Sequence, residues 1–414
     1  MSGPWRQAWP WLAFAAVLLL APWCWGSSGA LSLLSQMGIA IVVCLSYHLL
    51  LGEGGMLSFG HAVYTGLGSY LGVHTLLRLA EGGLPLPVSL VPVVAGLGAA
   101  AVAVLLGWVT TRRAGTPFAM ITLGIGELVW AASLMFPQWS GGEGGLSADR
   151  VVGPRVWGIS WGPAIQVYGL VAGYTFLCAL GLFLFGRTPL GRLLNAVRDN
   201  PERVAYLGFD PRLIRYLALV VSAFFAGVAG GLGALLFEIA TPEVLSAQRS
   251  GAYLLFTVLG GTALFWGPVL GGVLMVLCLV WLSSITQAWL LYLGLVFMAV
   301  VVWAPGGLSG WALRLVRALR GLRGADALRL LGPGLPMLLA GAMVLLGAGA
   351  VVEMLYHLPL RSTLGPEVRY LGLKLHTASP AHWAGALALC AVGLGLGAWA
   401  RRAWRQVRRA HGPA

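Results

Sequence analysis

Apolar residues in this chain gather into long unbroken runs instead of alternating with polar ones. Most runs have roughly the 17 to 25 residues that a helix needs to cross a hydrocarbon core. They extend from Trp9 to Trp25, Leu31 to Leu51, Phe59 to Leu79, Val88 to Val109, Phe118 to Phe136, Ile165 to Phe185, Tyr216 to Phe237, Tyr253 to Phe265, Val269 to Ile285 and Ala288 to Trp303. Two more, Leu335 to Val352 and Ala384 to Ala400, lie near the end. The first run has Arg6 ahead of it and Ser27, Ser28 and Ala30 behind, like a signal peptide, but so many spans follow that a retained helix is expected. The pattern predicts an all-α, polytopic membrane protein.

One stretch breaks the pattern. Between Arg187 and Arg215, Leu190, Leu193, Leu194, Val197 and Val204 fall roughly on one helical face, with Arg192, Asp199 and Arg203 elsewhere. That spacing predicts an amphipathic surface helix broken near Pro201. It either docks on something or merely separates two spans. Glycines interrupt the apolar pattern twice, in MLSFGHAVYTGLGSYLG around Gly60 to Gly72 and in LGGTALFWGPVLGG around Gly260 to Gly272. Broken membrane helices expose backbone groups that can solvate a polar substrate. Small residues also let helices pack closely, and both readings stay open.

Composition agrees with the membrane assignment: 58% of residues are hydrophobic and 9% charged, against about 25% charged in soluble domains. The formal charge of +13 need not mean nucleic acid. With the amino terminus placed inside and the spans alternating, 19 of the 26 Lys and Arg residues fall on the inner side, the bias expected of short cytoplasmic loops. Both termini are then cytoplasmic, and the basic tail faces anionic headgroups. Tryptophans at 9, 23, 25, 161, 281, 289, 303 and 311 sit near span ends, as interfacial rings do. The five cysteines lie singly in apolar runs, without the spacing of a metal site or redox pair.

Ionisable groups at membrane depth are costly and point to mechanism. Glu127, in TLGIGELVW, lines a pathway, pairs with a polar neighbour or is held neutral. His61 either contacts a ligand or hydrogen-bonds backbone freed by the glycines. Glu53, Glu238 and Glu353 fall near span ends, where snorkelling suffices. The candidate pathway set is Ser58, His61, Thr122, Glu127, Gly260 and Gly261. The outer loop, Pro137 to Pro163, reads as flexible and suits a docking surface for an outside protein better than a phosphate cradle. Catalytic residues are not expected, because nothing pairs a nucleophile with a base at usable spacing, and no cofactor or metal site is expected either.

LSFGHAVYTGLGSY, TPFAMITLGIGELV, GGEGGL, GRLLNAVRDNPERVAYLG, LVVSAFFAGVAGGLGALL, LLFTVLGGTALFWGPVLGG and APGGLSG occur in order over about residues 30 to 310. In this the chain resembles the permease subunits of bacterial ABC importers for branched-chain amino acids. Glu202 and Gly208 match the family's coupling-loop pattern of a Glu followed six residues later by a Gly. The resemblance implies an inner-membrane core of about ten helices, some broken, forming half of a translocation pathway. It also implies a second related permease, two ATP-binding subunits at the cytoplasmic face and a periplasmic solute-binding protein as partners, with Arg192, Arg198, Glu202 and Gly208 at the coupling loop. The sole lysine, Lys374, precedes Leu375, so this polypeptide has no phosphate-loop GK[ST] of its own. Urea or amide import, ion-coupled transport through Glu127 and a membrane enzyme using His61 or Glu127 are the alternatives. Glu53 stands where the family more often has Gln. Residues 311–414 exceed the family's ordinary length and are expected to form an interfacial linker, a helical hairpin and the basic tail, appended to a core of residues 1–310.

Overall fold

Helix α2 (Ser28–His48) is the axis of the first part of the chain. In the computed structural model, which describes residues 4–83, 85–152, 160–286, 288–304, 306–321, 324–358, 367–370, 373–377 and 379–410, every residue from Ala40 to Leu50 is buried. A helix apolar on all sides is stable only when surrounded. Here the surrounding helices are α7 (Ala164–Arg187), α10 (Pro211–Phe237) and α12 (Gly267–Val276). Small residues allow the approach: a Cβ on Gly38 would lie 2.8 Å from Val171 of α7, and one on Gly272 would lie 2.6 Å from the Ile41 nitrogen.

A second close contact joins α3 (His61–Ala80), α4 (Val91–Thr110) and α10. A Cβ on Gly68 would sit 2.6 Å from Gly227 Cα, and one on Gly231 would sit 2.8 Å from Pro92 Cα. The glycines of the third apolar run therefore serve packing at backbone distance, and α3 itself is continuous.

Further elements of this part are α1 (Pro4–Cys24), α5 (Thr116–Met135), the short α6 (Pro137–Ser140), the surface helices α8 (Pro189–Asp199) and α9 (Pro201–Tyr206), and α11 (Ala247–Gly260). The apolar run from Tyr253 to Phe265 is not one span. It belongs to α11, which stops at Gly260, because Gly261 takes φ +108°, a conformation that favours glycine. The chain then turns back into α12.

The outer loop is better tied than its glycine content suggests. Its strand β1 (Leu146–Ser147) pairs with β2 (Ile239–Ala240) just beyond α10. Arg150 reaches the carbonyls of Trp161 at 2.8 Å and Gly162 at 3.1 Å, and the Leu235 and Leu236 carbonyls at the end of α10. Arg150 also pairs with Glu238 at 3.8 Å, so that carboxylate has a partner and does not merely snorkel.

The chain divides into two compact units, Met1–Val276 with Val300–Gly310, and Leu277–Ala299 with Trp311–Ala414. The second unit contains a π-helical turn (Leu277–Leu282), α13 (Ser283–Ile285) and most of α14 (Trp289–Trp303) and α15 (Gly307–Gly321). It continues with α16 (Gly324–His357), an antiparallel ribbon of β3 (Glu367–Tyr370) and β4 (Leu373–His376), and α17 (Pro380–Ala410). Helices α16 and α17 pack as a hairpin through Gly347 against Cys390 and Gly393 against Val344. The side chains of Arg317, Arg320, Arg323, Arg329, Arg361, Glu367, Arg369 and Lys374, and all basic side chains of the tail except Arg402, lie outside the described residues. Glu353 is 6% exposed and accepts a hydrogen bond from Thr286; it is buried instead of reaching for the interface.

Among the described residues, eight helical stretches are long and apolar enough to cross a membrane, and a bent pair would make nine. This is a multi-pass, all-α membrane protein with two small strand pairs.

Candidate functional site

The buried centre of the first unit is polar. α2 runs through a π-helical turn (Leu49–Glu53) into a loop, and α3 starts at His61. Five elements meet there, and hydrogen bonds hold the loop in place. Tyr47 OH donates to the Ser58 carbonyl at 2.7 Å and accepts from the Ser58 nitrogen at 3.2 Å. Thr122 of α5 accepts from the Phe59 nitrogen at 3.1 Å and donates to the Ala119 carbonyl at 2.9 Å. Ser250 of α11 accepts from the Ala62 nitrogen at 2.9 Å. Ser222 of α10 donates to the Ser46 carbonyl at 2.6 Å. The Ser58 and Phe59 backbone groups of the loop thus find partners inside the bundle, where hydrocarbon offers none.

His61 is fully buried, and its Nε2 lies 2.9 Å from Ser46 Oγ. The single hydroxyl proton of Ser46 goes to the Val43 carbonyl at 2.7 Å. Ser46 Oγ must therefore accept from His61, which puts the imidazole proton on Nε2 and leaves Nδ1 a bare acceptor. His61 Nδ1 and Ser58 Oγ are buried and have no hydrogen-bond partner among the described residues. An unpaired buried polar group costs about 1–3 kcal/mol, and two of the six such atoms among the described residues lie beside this one helix start, where they form a polar site.

Of the residues singled out from sequence, Ser58, His61 and Thr122 converge here. Thr122 spends its one proton on Ala119 and accepts from Phe59, and so acts as a clamp. Gly60 lets the chain pass against it, since a Cβ there would be 3.1 Å from the Thr122 carbonyl carbon. Gly260 and Gly261 are elsewhere. They lie ten residues along α11 from Ser250, about 15 Å at 1.5 Å per residue. There they pack against Gly267, Gly271, Gly307 and Ser309, whose own Oγ is buried without a hydrogen-bond partner among the described residues. Glu127 is exposed on α5, on a different face from the buried Thr122. Ser46, Tyr47, Ser222 and Ser250 were missed. Ser46, Tyr47 and Ser222 are single hydroxyls inside apolar runs, and Ser250 lies in the polar stretch just ahead of the run at Tyr253, so nothing in the sequence sets them apart.

The foot of α2 meets the surface helices. Leu194, Val197 and Val204 are buried, and Gly54 and Gly55 let α8 lie on the turn. Arg198 donates to the Gly52 carbonyl and to Asp199 Oδ1 at 3.1 Å. Glu53 rests against Gly186 of α7, with one carboxylate oxygen buried and without a hydrogen-bond partner among the described residues. Arg192, Glu202 and Gly208 are exposed. Asn200 ends α8 and caps α9, accepting from the Arg203 nitrogen at 3.0 Å, so the break falls at Pro201 as its φ restriction predicts.

A bundle of apolar helices around a buried polar break, with an amphipathic pair lying on it, defines a membrane permease. Residues 29–304 match the family described as branched-chain amino acid transport system / permease component, and the chain belongs to that family, a membrane transport component. It is 30% identical over 295 residues to the high-affinity branched-chain amino acid transport system permease protein LivM of Escherichia coli (strain K12), covering 66% of either chain. Its similarity to the LivM of Salmonella typhimurium (strain LT2) has the same identity and coverage. The chain thus spans just under two thirds of these curated relatives. No solved structure matches it.

Proposed function

We propose that this chain is the permease subunit of an ATP-driven importer of branched-chain or related small amino acids in the bacterial inner membrane. It forms half of the translocation pathway, the other half coming from a second related permease. Of two ATP-binding subunits at the cytoplasmic face one docks on α8 and α9, and a periplasmic binding protein docks at the outer loop. Both termini then face the cytoplasm. Residues 1–310 supply the pathway, with residues 311–414 peripheral to it.

The observation that carries this reading is the pair of unpartnered groups at the start of α3. Ser58 offers a hydroxyl donor and His61 Nδ1 an acceptor, the two complements a zwitterion needs for its carboxylate and its ammonium. The surrounding helices are apolar, which suits a branched side chain. Glu127, exposed on α5, faces the pathway where the second permease completes it. Gly260 and Gly261 hold the second break.

The docking role is testable at the exposed coupling residues. Gly208 has φ +87°, so Gly208→Val strains the backbone by about 1–3 kcal/mol. In proteoliposomes carrying the assembled importer, it and Glu202→Ala should each lower amino-acid uptake at least tenfold while the chain stays in the membrane. Uptake by this chain alone, driven by an ion gradient, would overturn the reading.

A further inference from the structure

The π-helical turn at the foot of α2 ends at Glu53, and the Gly52 carbonyl is one of the terminal acceptors that a helix leaves without an intrahelical donor. The group that meets it comes from 146 residues further along the chain: Arg198, on α8. Its cation is well placed at the negative end of the α2 dipole. The contact is close along its whole length. Gly55, at φ +62°, lies under the Arg198 side chain, where a Cβ would be 2.7 Å from Cγ. A Cβ on Gly54 would be 3.2 Å from Leu194 Cδ1. Arg198 still keeps 40% of its side-chain surface in solvent, so it is not a residue buried for packing alone.

From Gly52 a short chain of hydrogen bonds leads to the polar break. The Gly55 nitrogen donates to the Leu51 carbonyl at 3.1 Å and the Met56 nitrogen to the Leu50 carbonyl at 2.8 Å. Two residues later Tyr47 brackets Ser58 through both backbone groups. A displacement at Gly52 therefore reaches Ser58 and His61 without a slack segment to absorb it. The π turn itself carries an extra residue in its hydrogen-bonded ring, a geometry found mostly as single turns and frequently at functional sites.

We propose that Arg198 is the positioning residue through which movement of α8 is passed to the Ser58–His61 break, by its hold on the Gly52 carbonyl. This rests on the reading that α8 and α9 dock on an ATP-hydrolysing partner, but it assigns Arg198 to the inner side of that joint instead of the docking face. Arg192, Glu202 and Gly208 meet the partner, and Arg198 holds α2.

The test uses the complete importer in proteoliposomes, with ATP hydrolysis and amino-acid uptake measured on the same preparation. Leu57→Cys, half-buried in the loop and set in a background lacking the other cysteines, reports loop movement by its labelling rate with and without ATP and vanadate. Arg198→Met should leave the subunits assembled and ATP hydrolysis within twofold, lower uptake per ATP at least tenfold, and abolish the nucleotide-dependent change in labelling. Arg198→Lys, which keeps a cation at the carbonyl, should recover most of the coupling. Gly55→Ala, which pushes the Arg198 stem away, should uncouple in the same sense, and it decides the matter if Arg198→Met does not fold. Uptake per ATP unchanged within twofold in Arg198→Met overturns the proposal. So does loss of the ATPase subunits from the complex, which would make Arg198 a docking residue. A wild-type complex that takes up no amino acid at the expense of ATP overturns the proposed function itself, whatever Arg198 does.

Discussion

Ser58 separates stability from transport more sharply than any other residue. Its hydroxyl is fully buried and has no partner among the described residues. Most buried hydroxyls are retained because their removal strands a neighbour, but here there is no neighbour to strand. Ser58→Ala should therefore leave the protein as stable as before, or more stable by up to about 1 kcal/mol, since an unmet polar group is removed. Uptake should move the other way, with KM for the amino acid rising about tenfold, corresponding to roughly 1.4 kcal/mol of lost binding. Thermal unfolding in detergent and uptake kinetics in proteoliposomes read the two effects separately. A variant that loses stability and keeps its KM would make Ser58 structural. His61 is less clean a test, because its Nε2 proton also holds Ser46, and changing it disturbs the α2–α3 junction as well as any ligand.

At the scale of elements, apolar run length was enough to place most helices, because a membrane span must satisfy its backbone within itself; glycine position was not, since α3 runs unbroken through Gly66, Gly68 and Gly72. Proline chemistry likewise located the break between α8 and α9, whereas the Asn200 cap showed only in the structure. Three further features were not legible. The π turn at Leu49–Glu53 depends on a helix ending under α8, and nothing in LLLGE encodes that contact. The outer loop is tied by Arg150 to carbonyls 85 and 86 residues away, which composition alone presents as glycine-rich slack. Glu353 lies near a span end, where snorkelling is the cheaper assumption, yet Thr286 and Tyr292 reach it from a separate segment. That last contact makes a prediction. Glu353→Leu deprives the buried Thr286 hydroxyl of its acceptor, while Tyr292 keeps the Gly349 carbonyl at 3.2 Å. The cost should be about 1–3 kcal/mol, seen as a lower unfolding temperature. Glu353→Gln retains an acceptor oxygen and should cost less than half as much. Equal losses for the two would mean that the charge matters and the hydrogen bond does not.

For the whole molecule, the question is what residues 311–414 add. The family match ends at residue 304, and each candidate pathway residue lies in the first unit, including the segment Val300–Gly310 that carries Gly306, Gly307 and Ser309 against Gly261. The second unit is not made of added sequence alone, because Leu277–Ala299 belongs to it as well. A truncation after Gly310 therefore removes the hairpin and leaves Thr286 and Tyr292, which bond Glu353 in the intact chain, without that partner. Apolar helix surface that α16 and α17 bury in each other disappears with them, so their loss opens no cavity between them. Truncated protein should accumulate less and unfold at lower temperature, through the orphaned segment and not through the site. Whatever importer still assembles should rank competing solutes as the full-length complex does, because the Ser58–His61 break is intact. Competition of leucine uptake by a panel of amino acids, amides and urea makes the comparison. A changed order of inhibition would place the appended hairpin in the pathway, whereas an unchanged order with reduced abundance is the result expected of a peripheral brace.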